Sequence, residues 1–169
     1  MKLGVLGSTL TRKSIYAIVI VAIAVPGSTL AASSASASPK VDVGLHLCET
    51  SGSHYCVGAP TVHLDDPVVE AIHGRLLNFN PAGSGTELQL VADTSLCVAA
   101  ANNGQDVVQH PCNGGAGVIW HEVQGPATTL YESNEFPGKY LSGANNNGSQ
   151  FQLKDRGATG WEQQFTAGA

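Results

Sequence analysis

Apolar and polar residues alternate over short distances along most of this chain, as they do in half-buried β-strands. Leu45 and Leu47 flank His46, and further short runs are rich in valine, leucine, isoleucine and aromatic residues. Glycine and asparagine-glycine segments separate these runs, at 83–85, 102–104, 114–117 and 145–148. An Asn-Gly pair between two strands favours a tight hairpin turn, because its central positions need positive φ. No stretch after residue 44 keeps helical spacing of apolar residues for three turns, so the pattern predicts an all-β chain.

This pattern recurs three times with a period of 41 to 44 residues. In the clearest copy Trp120 follows Cys97 by 23 residues, and in the earliest copy Phe79 follows Cys56 by the same interval. The last copy is more degraded and ends with Trp161. Three strand-rich units of this length are too short to be separate domains. They predict one closed, pseudo-symmetric barrel, which also removes exposed sheet edges.

The first 37 residues have the composition of a secretory signal peptide. Three basic residues precede an uninterrupted apolar run of 11 residues at 15–25, and a small-residue cleavage site follows at 35–37. A transmembrane helix needs about 20 apolar residues, which favours a cleaved signal over a membrane anchor. We therefore expect a secreted, extracellular protein with a signal peptide at 1–37, a short linker at 38–44 and one domain at 45–169.

Charge and motif content exclude several classes of function. Removal of the signal peptide leaves five basic and 13 acidic side chains, a formal charge of −8. Such a balance disfavours nucleic acid and anionic membrane surfaces as partners, so we expect neither once the signal is cleaved. The sequence has no nucleophile elbow, phosphate-binding loop or dinucleotide-binding fingerprint. We expect no enzymatic activity and no cofactor.

The four cysteines are disulfide candidates, because an oxidising compartment preserves the bond. Of the three possible pairings, nearest-neighbour pairing fits two local hairpins best and joins Cys48 to Cys56 and Cys97 to Cys112. The alternative for the first pair is a zinc site, because His46 and His54 each precede one of these cysteines by two residues. The interval between the cysteines does not match a zinc knuckle, and we expect no bound metal.

Cys97, the Asn-Gly turn after it, the segment 107–116 and Trp120 together resemble a repeat of the ricin B-type lectins. The similarity is good over residues 88–123, fair over 128–165 and weak over 45–80. It implies a β-trefoil, in which three four-stranded units form a six-stranded barrel capped by three hairpins. It also implies one equivalent core aromatic residue in each repeat, namely Phe79, Trp120 and Trp161.

The sugar-binding groups of that family are incomplete in this chain. The family places an aspartate two residues after the first cysteine of a competent repeat, and the three corresponding residues here are Gly58, Ala99 and Gly143. In the second repeat His110 stands at the position of the family's stacking aromatic residue, and Gly117 and Val118 replace its Asn-Gln pair. We therefore expect no sugar binding at the second repeat.

The third repeat retains the most of this chemistry. Phe151 takes the stacking position there, with Gln152 beside it and Asn145 nearby, and these three residues form the predicted ligand site. The alternative is that Phe151 faces the interior of the barrel.

Two functional classes remain open. The resemblance implies a noncatalytic carbohydrate-binding module with degenerate sites, whose partner is a glycan or a cell-surface polysaccharide. The missing aspartates leave a secreted protein-binding trefoil, such as a protease inhibitor or an effector, as the alternative. A shallow pocket with an exposed ring would favour sugar, whereas a protruding rigid loop would favour a protein partner.

Overall fold

The computed structural model describes residues 42–50, 54–125 and 127–168, so the predicted signal peptide lies outside the described residues. Apart from one 3₁₀ turn at Ala116–Val118, the regular elements of these ranges are twelve antiparallel strands. They are β1 (Asp42–Glu49), β2 (Cys56–Gly58), β3 (Val69–Ala71), β4 (Leu77–Ala82), β5 (Gly85–Leu90), β6 (Leu96–Ala100), β7 (Val107–Pro111), β8 (Ile119–Gln124), β9 (Thr129–Ser133), β10 (Lys139–Ser142), β11 (Gln152–Asp155) and β12 (Phe165–Gly168).

Six of the strands close into a barrel. The first and fourth strands of each unit pair with one another, as β1 with β4, β5 with β8 and β9 with β12. Neighbouring units are joined by the pairs β4–β5 and β8–β9, and β12 returns to pair with β1. The remaining strands form three hairpins, β2–β3, β6–β7 and β10–β11. This is the β-trefoil predicted from the sequence, with three pseudo-symmetric repeats.

A ring of three peptide hydrogen bonds ties the repeats together where the hairpins meet. The Val68 N–H donates to Val107 O at 3.1 Å, Val107 N–H to Phe151 O at 3.1 Å, and Phe151 N–H to Val68 O at 2.9 Å. All three side chains are buried. The ring fixes the register of the repeats, since it identifies Val68, Val107 and Phe151 as equivalent positions.

The residues at the position of Trp120 differ from the expected aromatic residues in both of the other repeats. Trp120 is fully buried and its indole N–H donates to Val98 O at 2.9 Å. Phe79 is buried as well, but strand pairing places the fully buried Leu77, two residues earlier, at the first-repeat position equivalent to Trp120. Trp161 is half-buried outside the core cluster, and the Lys154 ammonium lies 4.3 Å from its ring centre. Phe165 is fully buried instead and occupies the third-repeat position equivalent to Trp120.

Both disulfides predicted from the sequence are confirmed. Cys48 is bonded to Cys56, which joins β1 to β2, and Cys97 is bonded to Cys112, just beyond β7. None of the cysteines is free. Among the described residues, no helix is long and apolar enough to cross a membrane.

Candidate functional site

The predicted stacking residue Phe151 faces the barrel interior. Its side chain has no exposed surface, and its ring centroid lies 6.1 Å from that of Phe165. Its peptide group belongs to the ring of hydrogen bonds between the repeats. Phe151 is therefore an inward-facing barrel residue, and its phenyl ring is not open to a ligand.

The other two residues predicted for the third repeat are not buried with Phe151 in the core. Asn145 is exposed in a left-handed conformation, with φ of 58°, and lines a cavity of about 260 Å³ with Gly160, Trp161 and Glu162. Gln152 is half-buried on β11, where it pairs with Ser142. The structure therefore brings Asn145 to Trp161 rather than to Phe151.

The register of the hairpins explains this difference. Cys97 pairs with His110 in the second repeat, and the equivalent pair in the third repeat is Tyr140 with Lys154. Phe151 is equivalent to Val107, three positions before His110. The predicted positions of the third repeat are counted back from Trp161, but strand pairing shows that Phe165, not Trp161, is equivalent to Trp120.

A larger cleft lies at the second repeat, where the sequence predicted no binding. Its volume is about 340 Å³. His110 lies on its wall, and the repeat itself contributes the end of β6, the turn after it and the 3₁₀ segment. Two carboxylates come from outside the repeat, Asp65 from the first and Glu135 from the third. The remaining lining residues are Ala100, Ala101, Asn102, Val108, Asn113, Gly115, Gly117 and Val118.

Two adjacent residues of β7 hold Asp65 at the cleft. Gln109 is fully buried, its peptide N–H donates to Asp66 O at 2.9 Å, and its O accepts the Asp65 N–H at 2.8 Å. Its side-chain amide also donates to Thr61 O at 2.9 Å. On the outer face, His110 Nδ1 donates to Asp65 Oδ1 at 3.3 Å. The turn that carries Asp65 is therefore held by hydrogen bonds from the buried Gln109 and from the exposed His110 of the same strand.

Asp65 adopts a left-handed backbone conformation, with φ of 61°. It lies three residues before Val68, and the equivalent positions before Val107 and Phe151 are Gly104 and Gly148, with φ of 66° and 85°. A residue with a Cβ costs about 1–2 kcal/mol in this conformation, less when it is Asp or Asn. The first repeat thus carries a carboxylate where its two counterparts have the less strained glycine.

Glu135 reaches the cleft through the space that Gly117 leaves. A Cβ on residue 117 would lie 2.6 Å from Glu135 Oε2 and 3.3 Å from Ala100 O. The backbone on each side of Glu135 is fixed, because Asn134 N–H donates to Ile119 O at 3.0 Å and Phe136 N–H donates to Ser133 Oγ at 3.2 Å. The carboxylate is therefore held over the 3₁₀ segment of the neighbouring repeat.

The cleft combines hydrogen-bond acceptors with a flat ring. The side chains of Asp65 and His110 are 69% and 46% exposed, so both can contact a ligand. Two carboxylates accept hydrogen bonds from hydroxyl or ammonium groups, and the asparagine amides at 102 and 113 can both donate and accept. A ring with convergent polar groups is the arrangement that binds and orients a small polar ligand.

A second polar cluster is buried beside the third-repeat loop. Glu49 and Glu70 are 1% and 0% exposed, and the Glu70 carboxylate accepts the peptide N–H groups of Asn145 at 2.6 Å and Asn146 at 2.9 Å. Burial raises the pKa of Glu49 from 4.5 to about 9, with the Glu70 hydrogen bond and charge and the Glu162 charge adding to the effect. No other donor group among the described residues reaches the Glu49 oxygens, so the hydrogen bond between the two acids requires a proton on one of them, and the raised pKa places that proton on Glu49.

Glu49 and Glu70 were not singled out from the sequence. Glu70 lies two residues after Val68 on the inward face of the strand, and this departure from apolar alternation was the available signal. The zinc alternative for the first two cysteines does not apply, because Cys48 and Cys56 bond to each other. Within the described part of the chain, no group of three or more His, Cys, Asp or Glu residues is placed to hold a metal ion.

Comparison with known proteins supports the fold and not a family. No protein-family model and no curated protein matches the chain. The designed threefold-symmetric protein ThreeFoil superposes with a TM-score of 0.65 at 15% identity, over 74% of this chain and 97% of that one. A mosquitocidal holotoxin gives 0.66 at 11% identity over 73% of this chain, which spans only 17% of the toxin chain. Gallus interleukin-1 beta gives 0.61 at 11% identity, over 77% and 97% of the two chains.

Proposed function

We propose that the chain is a secreted, noncatalytic glycan-binding module whose ligand site is the second-repeat cleft. The observation that carries the proposal is the convergence of two carboxylates, from Asp65 and Glu135, with His110 on a cleft of about 340 Å³. The resemblance to ricin B-type lectins assigns His110 to the stacking position. The aspartate that the second repeat lacks within its own sequence is thus replaced by carboxylates from its two neighbours.

Each group has a defined part in sugar recognition. Ionised carboxylates accept two hydroxyl protons from adjacent positions on a sugar ring, and such charge-assisted hydrogen bonds are shorter and stronger than neutral ones. The His110 ring offers a face against which the apolar side of the sugar packs. Asn102 and Asn113 supply amide donors and acceptors at the edge of the cleft.

The fold alone does not select this function. A toxin and a cytokine share it with this chain at about the same similarity, and one fold hosts many unrelated functions. The argument for glycan binding therefore rests on the cleft. Secretion is supported by the composition of residues 1–37 and by two disulfides, which persist in oxidising compartments.

Glycan-array screening of the mature protein, followed by calorimetric titration of the best ligand, tests the proposal. We expect at least about fivefold weaker binding for His110→Ala, which removes the packing face, and for Glu135→Gln, which replaces a charge-assisted hydrogen bond with a weaker neutral one. Asp155→Asn is the matched control, because this exposed carboxylate lies in the third repeat and pairs with Lys139 at 2.9 Å. The affinity of the Asp155→Asn variant for the glycan should equal that of the wild type.

Two results would overturn the proposal. Absence of binding to every glycan on the array would favour the protein-partner class. Binding that survives both cleft substitutions but is lost in Trp161→Ala would move the site to the third-repeat cavity, which Asn145 and Trp161 line.

A further inference from the structure

The second-repeat cleft carries charge of one sign. Among the described residues that line it, Asp65 and Glu135 are acidic, no lysine or arginine is present, and His110 is the one basic side chain. The hydrogen bond from His110 Nδ1 to Asp65 Oδ1, at 3.3 Å, orients this carboxylate at the cleft wall. A bound ligand therefore meets a negative potential, which a concave site concentrates.

Two features of the chain place these carboxylates at the cleft. Asp65 keeps a left-handed conformation that its counterparts meet with Gly104 and Gly148. Glu135 occupies space that exists only because residue 117 has no Cβ. A carboxylate accepts sugar hydroxyls more strongly than an asparagine or glutamine carbonyl does, but only its net charge distinguishes a cationic ligand from a neutral one. An ammonium group on the ligand is the chemistry that uses the negative charge itself.

We propose that the cleft selects hexosamine units that carry a free ammonium group over their N-acetylated and uronate counterparts. The inference rests on the proposed glycan-binding function and specifies its ligand class. An exposed ion pair contributes up to about a fivefold change in affinity, so two carboxylates predict about a tenfold preference at low salt. A uronate is repelled by the same groups and should bind more weakly than the neutral sugar.

The test compares three oligosaccharides of equal length by calorimetry at about pH 5.5, because neighbouring oxygen atoms hold the pKa of a glucosamine amine well below that of lysine and the amine is largely protonated only under mildly acidic conditions. They are a glucosamine tetramer, its fully N-acetylated form and a glucuronate tetramer. We expect the wild type to prefer the amine about tenfold in roughly 20 mM salt and to lose most of this preference in about 0.5 M salt, because screening weakens exposed ion pairs.

Variants assign the preference to the two carboxylates. Asp65→Asn with Glu135→Gln removes both charges and keeps the acceptors, so we expect nearly equal affinity for the amine and the N-acetyl forms. Gly117→Ala forces the Glu135 carboxylate away without touching it and should remove part of the preference. Asp155→Asn should leave the preference unchanged, and circular dichroism of every variant confirms its folding.

The outcomes separate this inference from the function on which it rests. Equal affinity of the wild type for the amine and the N-acetyl forms at low salt would overturn the inference and leave glycan binding in place. A preference that persists in the double variant would also overturn it, because the charge responsible would lie elsewhere. Absence of binding to all three oligosaccharides and to the glycan array would overturn the proposed function itself.

Discussion

Asp65 occupies in the first repeat the turn position that Gly104 occupies in the second. Each lies three residues before a member of the hydrogen-bonded ring, and their φ angles are 61° and 66°. The backbone of the turn is thus kept through the pseudo-symmetry while its side chain changes from a hydrogen atom to a carboxylate. This exchange supplies the second-repeat cleft with an acid from its neighbour, and it links the symmetry of the fold to the chemistry of the candidate site.

We predict that Asp65→Gly separates stability from binding. Glycine removes the strain of the left-handed conformation, so the free energy of unfolding should stay within about 1 kcal/mol of the wild type or rise. Glycan affinity should fall at least about fivefold, because an ionised acceptor is lost. Chemical unfolding and calorimetry measure the two quantities on the same sample.

A substitution at the equivalent turn position of the second repeat provides the control for Asp65→Gly. Gly104→Ala should cost about 1–2 kcal/mol, because its φ is positive and the new Cβ would lie 3.1 Å from the Phe136 ring. A loss of more than about 1 kcal/mol in Asp65→Gly would instead identify the His110–Asp65 bond as structural and weaken the case for a retained functional carboxylate.

The Glu49–Glu70 pair predicts that stability falls as the pH rises. The pKa of Glu49 is raised in the folded protein from 4.5 to about 9, so the folded state binds a proton that the unfolded chain releases above about pH 4.5. The stability from this proton is fully present below pH 4.5 and is lost progressively as the pH approaches 9. Urea unfolding between about pH 5 and pH 9 measures the slope.

Glu49→Gln should flatten that slope, because the amide donates to Glu70 and does not ionise. We expect the variant to gain stability relative to the wild type at alkaline pH and not at acidic pH. Glu70→Gln is the contrasting variant. It removes the charge that accepts the Asn145 and Asn146 N–H groups, and should cost about 1.5–3 kcal/mol at neutral pH. Parallel pH profiles for wild type and Glu49→Gln would refute the shared-proton explanation.

The two disulfides should contribute unequally to stability. The bond from Cys97 to Cys112 closes a loop with a separation of 15 residues and should contribute about 3 kcal/mol in the chain-entropy model. The bond from Cys48 to Cys56 closes a separation of 8 residues and should contribute about 0.5 kcal/mol less. Paired Cys→Ser variants and chemical unfolding give both values. A larger loss at the shorter loop would show that native-state packing, rather than loop closure, dominates.

The assignment of the core aromatic residues predicts different costs for two truncations in the third repeat. Phe165→Ala should cost about 3–5 kcal/mol, because it empties a fully buried position. Trp161→Ala should cost no more than about 1.5 kcal/mol, since the ring is half-buried and stacks under Lys154. Equal losses measured by denaturant unfolding would contradict the register described for β12.

The sequence predicts the architecture well because local signals recur at a fixed interval. The Asn-Gly pairs predict hairpin turns that require positive φ, and Gly104 and Gly148 have positive φ in the structure. The disulfides follow from the hairpins they close. In the third repeat the sequence pattern points to Trp161, because it is the most conspicuous aromatic residue near the end of that repeat. Phe165 is the residue whose strand pairing matches Trp120, and strand pairing is not visible in a degraded repeat.

The candidate site could not be predicted from any single repeat. Asp65 is 45 residues before His110 in the chain, and Glu135 belongs to the next repeat. Inspection of residues 88–123 alone shows Ala99, His110, Gly117 and Val118, which cannot bind a sugar by themselves. The carboxylates reach the cleft because the strand pairs β4–β5 and β8–β9 place the first and third repeats on either side of the second.

The most direct test of the central claim is an amide NMR titration of the mature protein with the glucosamine tetramer. Binding at the second-repeat cleft predicts that the largest shift changes occur at Asp65, His110, Gly117 and Glu135, with the Trp161 indole N–H unchanged. Shift changes centred on Asn145, Gly160 and Trp161, or no changes at ligand concentrations that saturate known lectins, would contradict the claim.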